Sequence, residues 1–252
     1  MAVQRNSIVQ YLNEYLKIRT IKDSSCNGLQ VQGPESVTRI GLAVDACMAS
    51  YRKAAAQKCE MLIVHHGLIW NGLTSITGAP YNHIKYLFDH GINLYGAHLP
   101  LDLHPVVGNN AQLAAMIGLT NVKPFGEYHG MLIGCKGVFA VSRTPGHLAK
   151  LLKTKLGHDP LLLPFGPAHI RSVGIISGGA AAELAQAIGA KLDCYITGES
   201  SHWNHHAALE AGINVLYGGH YATETVGVKA LGKLLEKKFK VKTVFLDEPT
   251  GV

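Results

Sequence analysis

The chain has 252 residues, of which 47% are hydrophobic and 16% charged, and its formal net charge is +6 with an isoelectric point near 9.0. This length accommodates one large or two small domains with a buried core, and the composition excludes an intrinsically disordered chain. No apolar run approaches the ~20 residues of a membrane-spanning helix, and the first residues lack a signal-peptide pattern.

The excess positive charge predicts a solvated surface rather than a nucleic-acid site. The densest basic run, residues 236–242, ends a predicted helix, where cations complement the helix dipole. No nucleic-acid-binding motif accompanies it. The five cysteines are odd in number, widely spaced and form no Cys-x-x-Cys pair. This pattern predicts free thiols in a reducing compartment, and we expect the cytoplasm.

Strand and helix patterns alternate along the first half of the chain. An amphipathic helix is predicted at 6–16, where Ile8, Leu12 and Leu16 recur every fourth residue. Next come a strand at 39–47, a helix at 48–58, and an apolar strand from Met61 that runs into His65-His66. A helix at 81–90, a strand at 92–99 and a helix at 109–119 complete this half.

The second half continues the alternation after a break at 123–130. A strand is predicted at 132–141 and a helix at 144–156, opened by Thr144-Pro145 and ended by Gly157. A connecting segment at 158–169, a strand at 172–179, a helix at 180–188 and strands at 194–197, 213–217 and 241–246 follow. We expect no internal repeat. The fold class is α/β, with mixed, mostly parallel sheets flanked by helices. Two α/β halves are expected, at 1–128 and 129–252.

The adjacent histidines His65 and His66 are the first candidate site. Neighbouring residues of a strand point to opposite faces, so two such histidines do not ordinarily share a site. At the C-terminal end of the strand, however, Gly67 would let the backbone turn and bring both rings forward. Ligands of open α/β sheets bind at that edge. The alternative is a pair of hydrogen-bonded core histidines.

Two later motifs repeat this placement. His98-x3-Asp102 and His220-x3-Glu224 each follow a predicted strand, and residues four apart share one face of a helix. Either motif alone is compatible with a helix cap or a surface group. Their recurrence at strand ends predicts a metal site, at the C-terminal ends of the strands between the two domains. Imidazole and carboxylate without thiolate are compatible with zinc, iron, manganese or nickel.

The number of metal ions stays open from the residues alone. The candidates His65, His66, Asp102, His220 and Glu224 exceed the usual set of one tetrahedral site. Two ions sharing a bridging carboxylate would use all five. One ion with spare histidines around its ligands is the alternative. The strand that ends in Gly178-Gly179 is compatible with a phosphate cradle or an ordinary tight turn, and the turn is favoured.

Five motifs occur together and in order along almost the whole chain. They are Asp23-x3-Asn27-Gly28-Leu29-Gln30-Val31, Val64-His65-His66-Gly67, His98-Leu99-Pro100-Leu101-Asp102, Gly198-Glu199 and Gly219-His220-x3-Glu224. With these motifs the chain resembles the GTP cyclohydrolase type-two homologues, also called the NIF-three-like or domain-of-unknown-function 34 proteins. The resemblance implies two interlinked α/β domains, two metal ions per chain, and a homohexameric ring assembled as a trimer of dimers.

The ligand roles that this resemblance implies can be written residue by residue. One metal would be held by His65, His220 and Glu224. The other would be held by His66, Asp102 and Glu224. The candidates for catalytic residues are His98, Glu199 and His202. Among the other histidines, His205 and His206 are expected at the surface or rim, and His104, His129 and His147 have no supporting pattern.

The family name implies water-driven opening of the GTP imidazole ring with loss of formate. A metal-dependent hydrolase of a small-molecule nucleotide, phosphoester or related heterocycle fits the residues equally well. The alternative class is a non-enzymatic, ring-forming protein that handles metal or regulates other processes. Turnover of a nucleotide with added metal would separate the enzymes from this alternative.

Overall fold

A computed structural model describes residues 2–72 and 75–251. The chain forms two compact units. Unit 1 comprises the chain up to Val107 together with Gly227–Glu248, and unit 2 comprises Gly108–Val226 with the residues from Pro249. Each unit has its own β-sheet and its own hydrophobic core.

The main sheet of unit 1 is largely parallel. The strands of this unit are β1 (Val3–Gln4), β2 (Gly28–Val31), β3 (Ser36–Val37), β4 (Arg39–Asp45), β5 (Met61–His66), β6 (Asn93–Gly96) and β13 (Lys242–Phe245). Five of them form a sheet in the order β13-β4-β5-β6-β2, in which only β2 is antiparallel to its neighbour. Strands β1 and β3 form a separate antiparallel pair.

Helices cover both faces of this sheet. They are α1 (Arg5–Tyr15), α2 (Met48–Ala56), α3 (Gly78–Asp89), the short α4 (Leu99–Asp102) and α9 (His220–Phe239), which begins within unit 2 and continues into unit 1. Alternate residues of β5 enter different cores, as the pleat requires. Met61 and Ile63 pack with α1 and α9, whereas Leu62 and Val64 pack with α2 and α3. The predicted apolar face of α1 is confirmed as buried.

The sheet of unit 2 has more antiparallel pairings than we predicted. Its strands are β7 (Thr120–Tyr128), β8 (Met131–Arg143), β9 (Leu161–Pro164), β10 (Ile170–Ile175), β11 (Cys194–Thr197) and β12 (Asn214–Tyr217). Their order is β7-β8-β10-β11-β12-β9. Only β10-β11 and β11-β12 are parallel, and the other three neighbouring pairs are antiparallel. The parallel strands form the centre, where the candidate residues follow.

Unit 2 has four helices among its described residues, and three of them overlap predicted helices, whereas no bounds were predicted for the last. They are α5 (Asn109–Ile117), α6 (Pro145–Leu156), α7 (Leu184–Gly189), which follows a 3-10 turn at Ala181–Glu183, and α8 (Asn204–Ala211). The predicted ends of α6 are confirmed: the Thr144 hydroxyl caps its first turn, and Gly157 follows with φ 71°. No helix within the described parts of the chain is long and apolar enough to cross a membrane.

Two sequence interpretations in unit 2 are wrong. The predicted break at 123–130 lies largely within β7, and the predicted connection at 158–169 contains β9. Both are edge strands paired antiparallel to one neighbour. An edge strand tolerates proline because part of its backbone needs no partner in the sheet. Pro124 and Pro164 therefore lie in strands, although proline usually indicates a turn.

In unit 1 a carboxylate and an amide fix the starts of the central strands. The Glu60 carboxylate, just before β5, accepts from the backbone N–H of Arg39 at 2.8 Å. Asn93, the first residue of β6, donates through its side chain to the Glu60 carbonyl at 2.8 Å. The same side chain accepts from the Gly33 N–H at 2.7 Å.

Unit 2 contains the same arrangement, which the sequence analysis missed. The Asp193 carboxylate, just before β11, accepts from the Ser172 N–H at 2.8 Å. Asn214, the first residue of β12, donates to the Asp193 carbonyl at 3.1 Å and accepts from the Gly166 N–H at 3.2 Å. The sequences around these asparagines, Gly91-Ile92-Asn93 and Gly212-Ile213-Asn214, are identical. The two units therefore share a structural repeat, contrary to our expectation of none.

Candidate metal centre

His65 lies at the end of β5 with its ring fully buried. Its Nδ1 is 2.9 Å from the Ala97 carbonyl oxygen. Because a carbonyl only accepts, Nδ1 carries the hydrogen, and the lone pair of the neutral ring is on Nε2. That Nε2 lies 3.5 Å from Oδ2 of Asp102.

His66 is held by a carboxylate at the end of the neighbouring strand. Its Nδ1 is 2.8 Å from Oδ1 of Asp45, the last residue of β4, which pairs with His66 in the parallel register. The His65 and His66 ring centroids are 4.8 Å apart, so the adjacent histidines share one region despite the strand pleat. The predicted sharing is confirmed. Asp45 was missed, although its place at a strand end was a usable signal.

Gly67 has a different role from the one predicted. Its backbone is not left-handed. A Cβ at this position would instead lie 2.2 Å from Nε2 of Gln30. The Gln30 side chain passes beside Gly67 and accepts from the Leu68 N–H at 2.7 Å. Gly67 therefore allows the Gln30 side chain to approach closely, and Gln30 holds the loop that follows the two histidines.

His98 is oriented by the first motif of the chain. Its Nδ1 is 3.0 Å from Oδ1 of Asp23, and its backbone N–H donates to Asn27 at 2.7 Å. Asp23 also accepts from the Leu99 N–H at 3.0 Å. Burial by itself raises the pKa of Asp23, but the hydrogen bond and charge of His98, together with the other donors, outweigh it and lower the pKa to about 2. Asp23 therefore stays ionised as the acceptor for His98.

The three histidines of unit 1 form one cluster. Ring nitrogens of His65, His66 and His98 lie within 4.8 Å of one another, close enough to hold a metal ion. Asp102 adds a carboxylate at the end of α4, which His98 precedes directly. The structure thus places His98 beside the candidate ligands as well as beside Asp23, so its nitrogen is a further possible donor.

In unit 2 the helix α9 begins at His220. Nδ1 of His220 is 2.5 Å from Oε1 of Glu199, and Nε2 is 3.1 Å from Oε2 of Glu224, one turn along the helix. The predicted shared face of His220 and Glu224 is confirmed. Glu224 is buried, whereas the Glu199 side chain is 42% exposed.

Gly178 makes room for this group of side chains. Its φ is +67°, and a Cβ would lie 2.1 Å from Oε1 of Glu224. The Gly178 carbonyl accepts from the backbone N–H groups of Gly198 and Glu199 at 2.9 and 3.0 Å. The Gly178-Gly179 pair therefore serves as a tight turn that admits Glu224 and positions Glu199. The sequence analysis favoured a tight turn here, and the structure adds the reason for the glycine at 178, which is the space taken by Glu224.

The remaining predicted histidines lie elsewhere in their units. His202, His205 and His206 line a groove together with Leu161 and Tyr217, and His205 and His206 are exposed, as predicted. The groove does not include His220 or Glu199. The other three have local partners: His104 stacks on Tyr15, His129 contacts Tyr128, and His147 contacts Arg143.

All four imidazoles at the strand ends have the same orientation. Nδ1 of each faces an oxygen acceptor, from Ala97, Asp45, Asp23 or Glu199, so Nε2 is the ring nitrogen whose lone pair can bind a metal or a proton. Metal-binding histidines are ordinarily held in this way. Burial raises the pKa of Cys59 to about 11 and that of Cys135 to about 12, so these two side chains are not favoured as thiolate ligands. The donors available in each unit fit a divalent transition metal.

Comparisons with known proteins converge on one family. The model of the Duf34/NIF3 family (NGG1p interacting factor 3) matches residues 3–251. A protein of Pyrococcus abyssi named GTP cyclohydrolase 1 type 2 homolog is 45% identical over 99% of this chain and 100% of its own length. The solved structure of protein ybgI, described as of unknown function, is 36% identical with a TM-score of 0.91, covering 99% of this chain and 100% of that one.

A second solved structure, that of TTHA1606 from Thermus thermophilus, agrees. It is 40% identical with a TM-score of 0.87, again over 99% of this chain and 100% of the other. The reduced HcgD protein of Methanocaldococcus jannaschii is 24% identical with a TM-score of 0.86, over 98% and 99% of the two chains, which shows a shared fold.

Proposed function

Because the chain belongs to the Duf34/NIF3 family, we propose that it is a metal-dependent hydrolase that acts on a nucleotide or a related heterocycle. Two divalent metal ions per chain would be held by His65, His66, Asp102, His220 and Glu224. Relatives of similar length are named GTP cyclohydrolase 1 type 2 homolog, which makes opening of the GTP imidazole ring one candidate reaction.

The observation that carries this proposal is the shared orientation of the imidazoles. Each of the histidines that we assign to the metals has its Nδ1 bound to an oxygen acceptor, so Nε2 is the ring nitrogen whose lone pair would bind a metal. A carboxylate lies close to such an Nε2 in each unit: Asp102 for His65 and Glu224 for His220. Core histidines that only satisfy hydrogen bonds have no need of this repeated arrangement.

The residues around the metal ligands then have separate roles. Bound divalent metals would supply Lewis acidity and activate water at neutral pH. Asp45 and Glu199 orient His66 and His220 through their Nδ1 hydrogens. Asp23 holds His98 so that its Nε2 is available to accept a proton. Glu199 lines a cavity of about 260 Å³, which makes it another candidate for moving a proton.

We also propose that the protein works as a cytoplasmic homohexamer, a trimer of dimers. The hexamer rests on the resemblance described in the sequence analysis alone, and the compartment on five free thiols. Light scattering should give about six times the chain mass of 27.1 kDa. A monomer whose mass does not change with concentration would contradict the hexamer.

The decisive experiment begins with metal content. Protein purified without chelators, then dialysed against zinc, iron, manganese or nickel, is examined by elemental analysis, and we expect saturation at two ions per chain. Saturation at one ion under excess metal would contradict the dinuclear centre.

Turnover is tested next on the metal-loaded protein. A panel of nucleotides that includes GTP is incubated with it, and products are identified by mass spectrometry. The Glu224→Gln variant is the matched control for activity from a contaminant. Tight metal binding without turnover of any nucleotide would favour the non-enzymatic metal-handling or regulatory alternative.

A further inference from the structure

Trp70 lies directly beside the histidine cluster of unit 1. Its ring centroid is 5.0 Å from that of His98, with the rings at 69°, and 6.3 Å from that of His66. The side chain is nevertheless 37% exposed. An indole that is partly open to solvent therefore stands next to the nitrogen atoms that we assign to metal chemistry.

The local backbone holds this tryptophan in place. Trp70 forms an isolated antiparallel bridge with Ser25. On either side of it, the Cys26 N–H donates to Ile69 at 2.9 Å and the Asn71 N–H donates to Ser24 at 2.7 Å. The backbone of this segment is thus tied to the stretch of chain that carries Asp23, which fixes the position of the Trp70 Cα.

The indole itself is also fixed. Its Nε1–H donates to the Gly67 carbonyl at 2.8 Å, which satisfies its single polar hydrogen within the protein. The rest of the indole is an aromatic surface without polar hydrogens, in a residue that is 37% exposed. A fixed aromatic surface loses little conformational entropy when a ligand packs on it, which makes it an effective binding platform.

We propose that Trp70 is a stacking platform for a planar nitrogen heterocycle, the nucleobase or related ring of the substrate. Stacking on Trp70 places the heterocycle beside His98 and His66. The identification of this ring as part of a substrate rests on the proposed function, but the binding that it predicts does not require turnover. Stacking accepts any nucleobase because every base presents a π-face.

Fluorescence gives a direct test, since the chain contains only two tryptophans. Trp203, the other one, is exposed before α8. In a Trp203→Phe background, Trp70 is the sole indole emitter. We expect saturable quenching of its emission by GMP and by UMP, with and without bound metal. Ribose 5-phosphate, which has the sugar and phosphate but no base, should quench at least ~10-fold more weakly, since it offers no ring to stack.

Substitutions at Trp70 separate stacking from packing. By titration calorimetry, Trp70→Leu should weaken GMP binding by about 5- to 150-fold, the range expected for loss of one base–aromatic stack. Trp70→Phe should weaken it less, because a smaller ring remains. Metal content of both variants should equal that of the parent, and Trp203→Phe alone should leave GMP affinity unchanged.

Several results would overturn the platform. They are equal affinity for GMP and ribose 5-phosphate, no binding of GMP or UMP, and unchanged GMP affinity in Trp70→Leu. If Trp70→Leu lost metal while its GMP affinity stayed unchanged, Trp70 would only support the position of His98. Base-dependent quenching in a protein that turns over no nucleotide would uphold the platform and refute the hydrolase separately.

Discussion

The two units start their central strands alike and end them differently. At the strand starts, Glu60 and Asn93 of unit 1 make the same bonds as Asp193 and Asn214 of unit 2. At the corresponding strand ends, unit 1 carries His65-His66 whereas unit 2 carries Gly198-Glu199. The residues at the strand starts hold the sheet together in both units. The residues at the strand ends differ, with two imidazoles in unit 1 and a carboxylate in unit 2.

His98 follows β6 in unit 1, and His220 follows β12 in unit 2. The carboxylates that orient these two histidines show the same contrast. His98 is oriented by Asp23, whose side chain is only 2% exposed. His220 is oriented by Glu199, whose side chain is 42% exposed. The same ring nitrogen is thus held by a buried carboxylate in one unit and by an accessible one in the other. An accessible carboxylate can exchange protons with solvent or ligand, and a buried one provides rigidity.

Of the substitutions that test this comparison, Glu224→Gln should have the largest effect on metal content and activity. It preserves size but removes the negative charge that a two-metal site needs, since two nearby cations repel strongly. We expect loss of at least one metal ion and of any hydrolytic activity, measured by elemental analysis and nucleotide turnover. The melting temperature of the metal-free protein should change little.

Glu210→Gln, on the exposed part of α8, is the control and should retain both ions. A Glu224→Gln protein with both metals at parental affinity would show that another residue, with Asp102 as the first candidate, bridges them. His65→Ala and His66→Ala should each weaken mainly one ion.

Gly178→Ala tests whether the turn in unit 2 exists to admit Glu224. The new Cβ would lie 2.1 Å from the Glu224 carboxylate at a left-handed φ of +67°. We expect a loss of about 1–3 kcal/mol of unfolding free energy together with weaker metal binding, measured by denaturation and metal titration.

Gly146→Ala is the matched control, because nothing lies within 4 Å of its Cβ position in the first turn of α6. It should be neutral or stabilise by up to about 1 kcal/mol. Equal effects of the two substitutions would remove the special role of Gly178.

Asp23→Asn and Glu199→Gln compare the two orienting carboxylates. Glu199→Gln should weaken metal binding by roughly 10- to 100-fold, as loss of the partner of a ligand histidine does elsewhere. Asp23→Asn should weaken it less, because His98 is not among the assigned ligands. Only Asp23→Asn should also lower stability clearly, since Asp23 is buried and accepts from Leu99 and Ser25 as well. Isothermal metal titration and thermal melts measure both effects.

Asp89→Asn, which removes an exposed partner of Lys85, should alter neither property. If Glu199→Gln destabilised the fold as much as Asp23→Asn, the contrast between a rigid and an accessible carboxylate would be wrong.

Glu60→Gln should give the smallest effect. Burial raises the pKa of Glu60, but backbone and side-chain donors at Arg39 and Thr38 outweigh it, so the folded pKa lies below the usual value. A carboxylate with a lowered folded pKa stabilises above its unfolded pKa of about 4.3, and this stability is lost as pH falls through the folded value. We expect a deficit of about 1 kcal/mol at neutral pH.

The deficit of Glu60→Gln should shrink as denaturation curves are recorded at pH values falling below about 4.3, because the unfolded parent takes up a proton there and the folded carboxylate does so at lower pH. An equal deficit at both pH values would mean that the charge of Glu60 is irrelevant. Metal content should not change, because Glu60 lies at the opposite end of β5 from His65.

The sequence by itself determined most of the elements and the chemistry at strand ends. Apolar periodicity located α1, and Thr144 and Gly157 located the ends of α6, because these signals act over one or two helical turns. The four-residue spacing of His220 and Glu224 fixed their shared face for the same reason. The family resemblance, carried by five ordered motifs, is confirmed across residues 3–251.

Only the tertiary structure decided what depends on distant partners. Strands β7 and β9 form because neighbouring strands supply their hydrogen bonds, which outweigh the turn tendency of Pro124 and Pro164. The orienting groups of His66 and His98 lie 21 and 75 residues away in the chain. A side chain's spatial neighbours across such separations follow from strand order and register, which local sequence preferences do not encode.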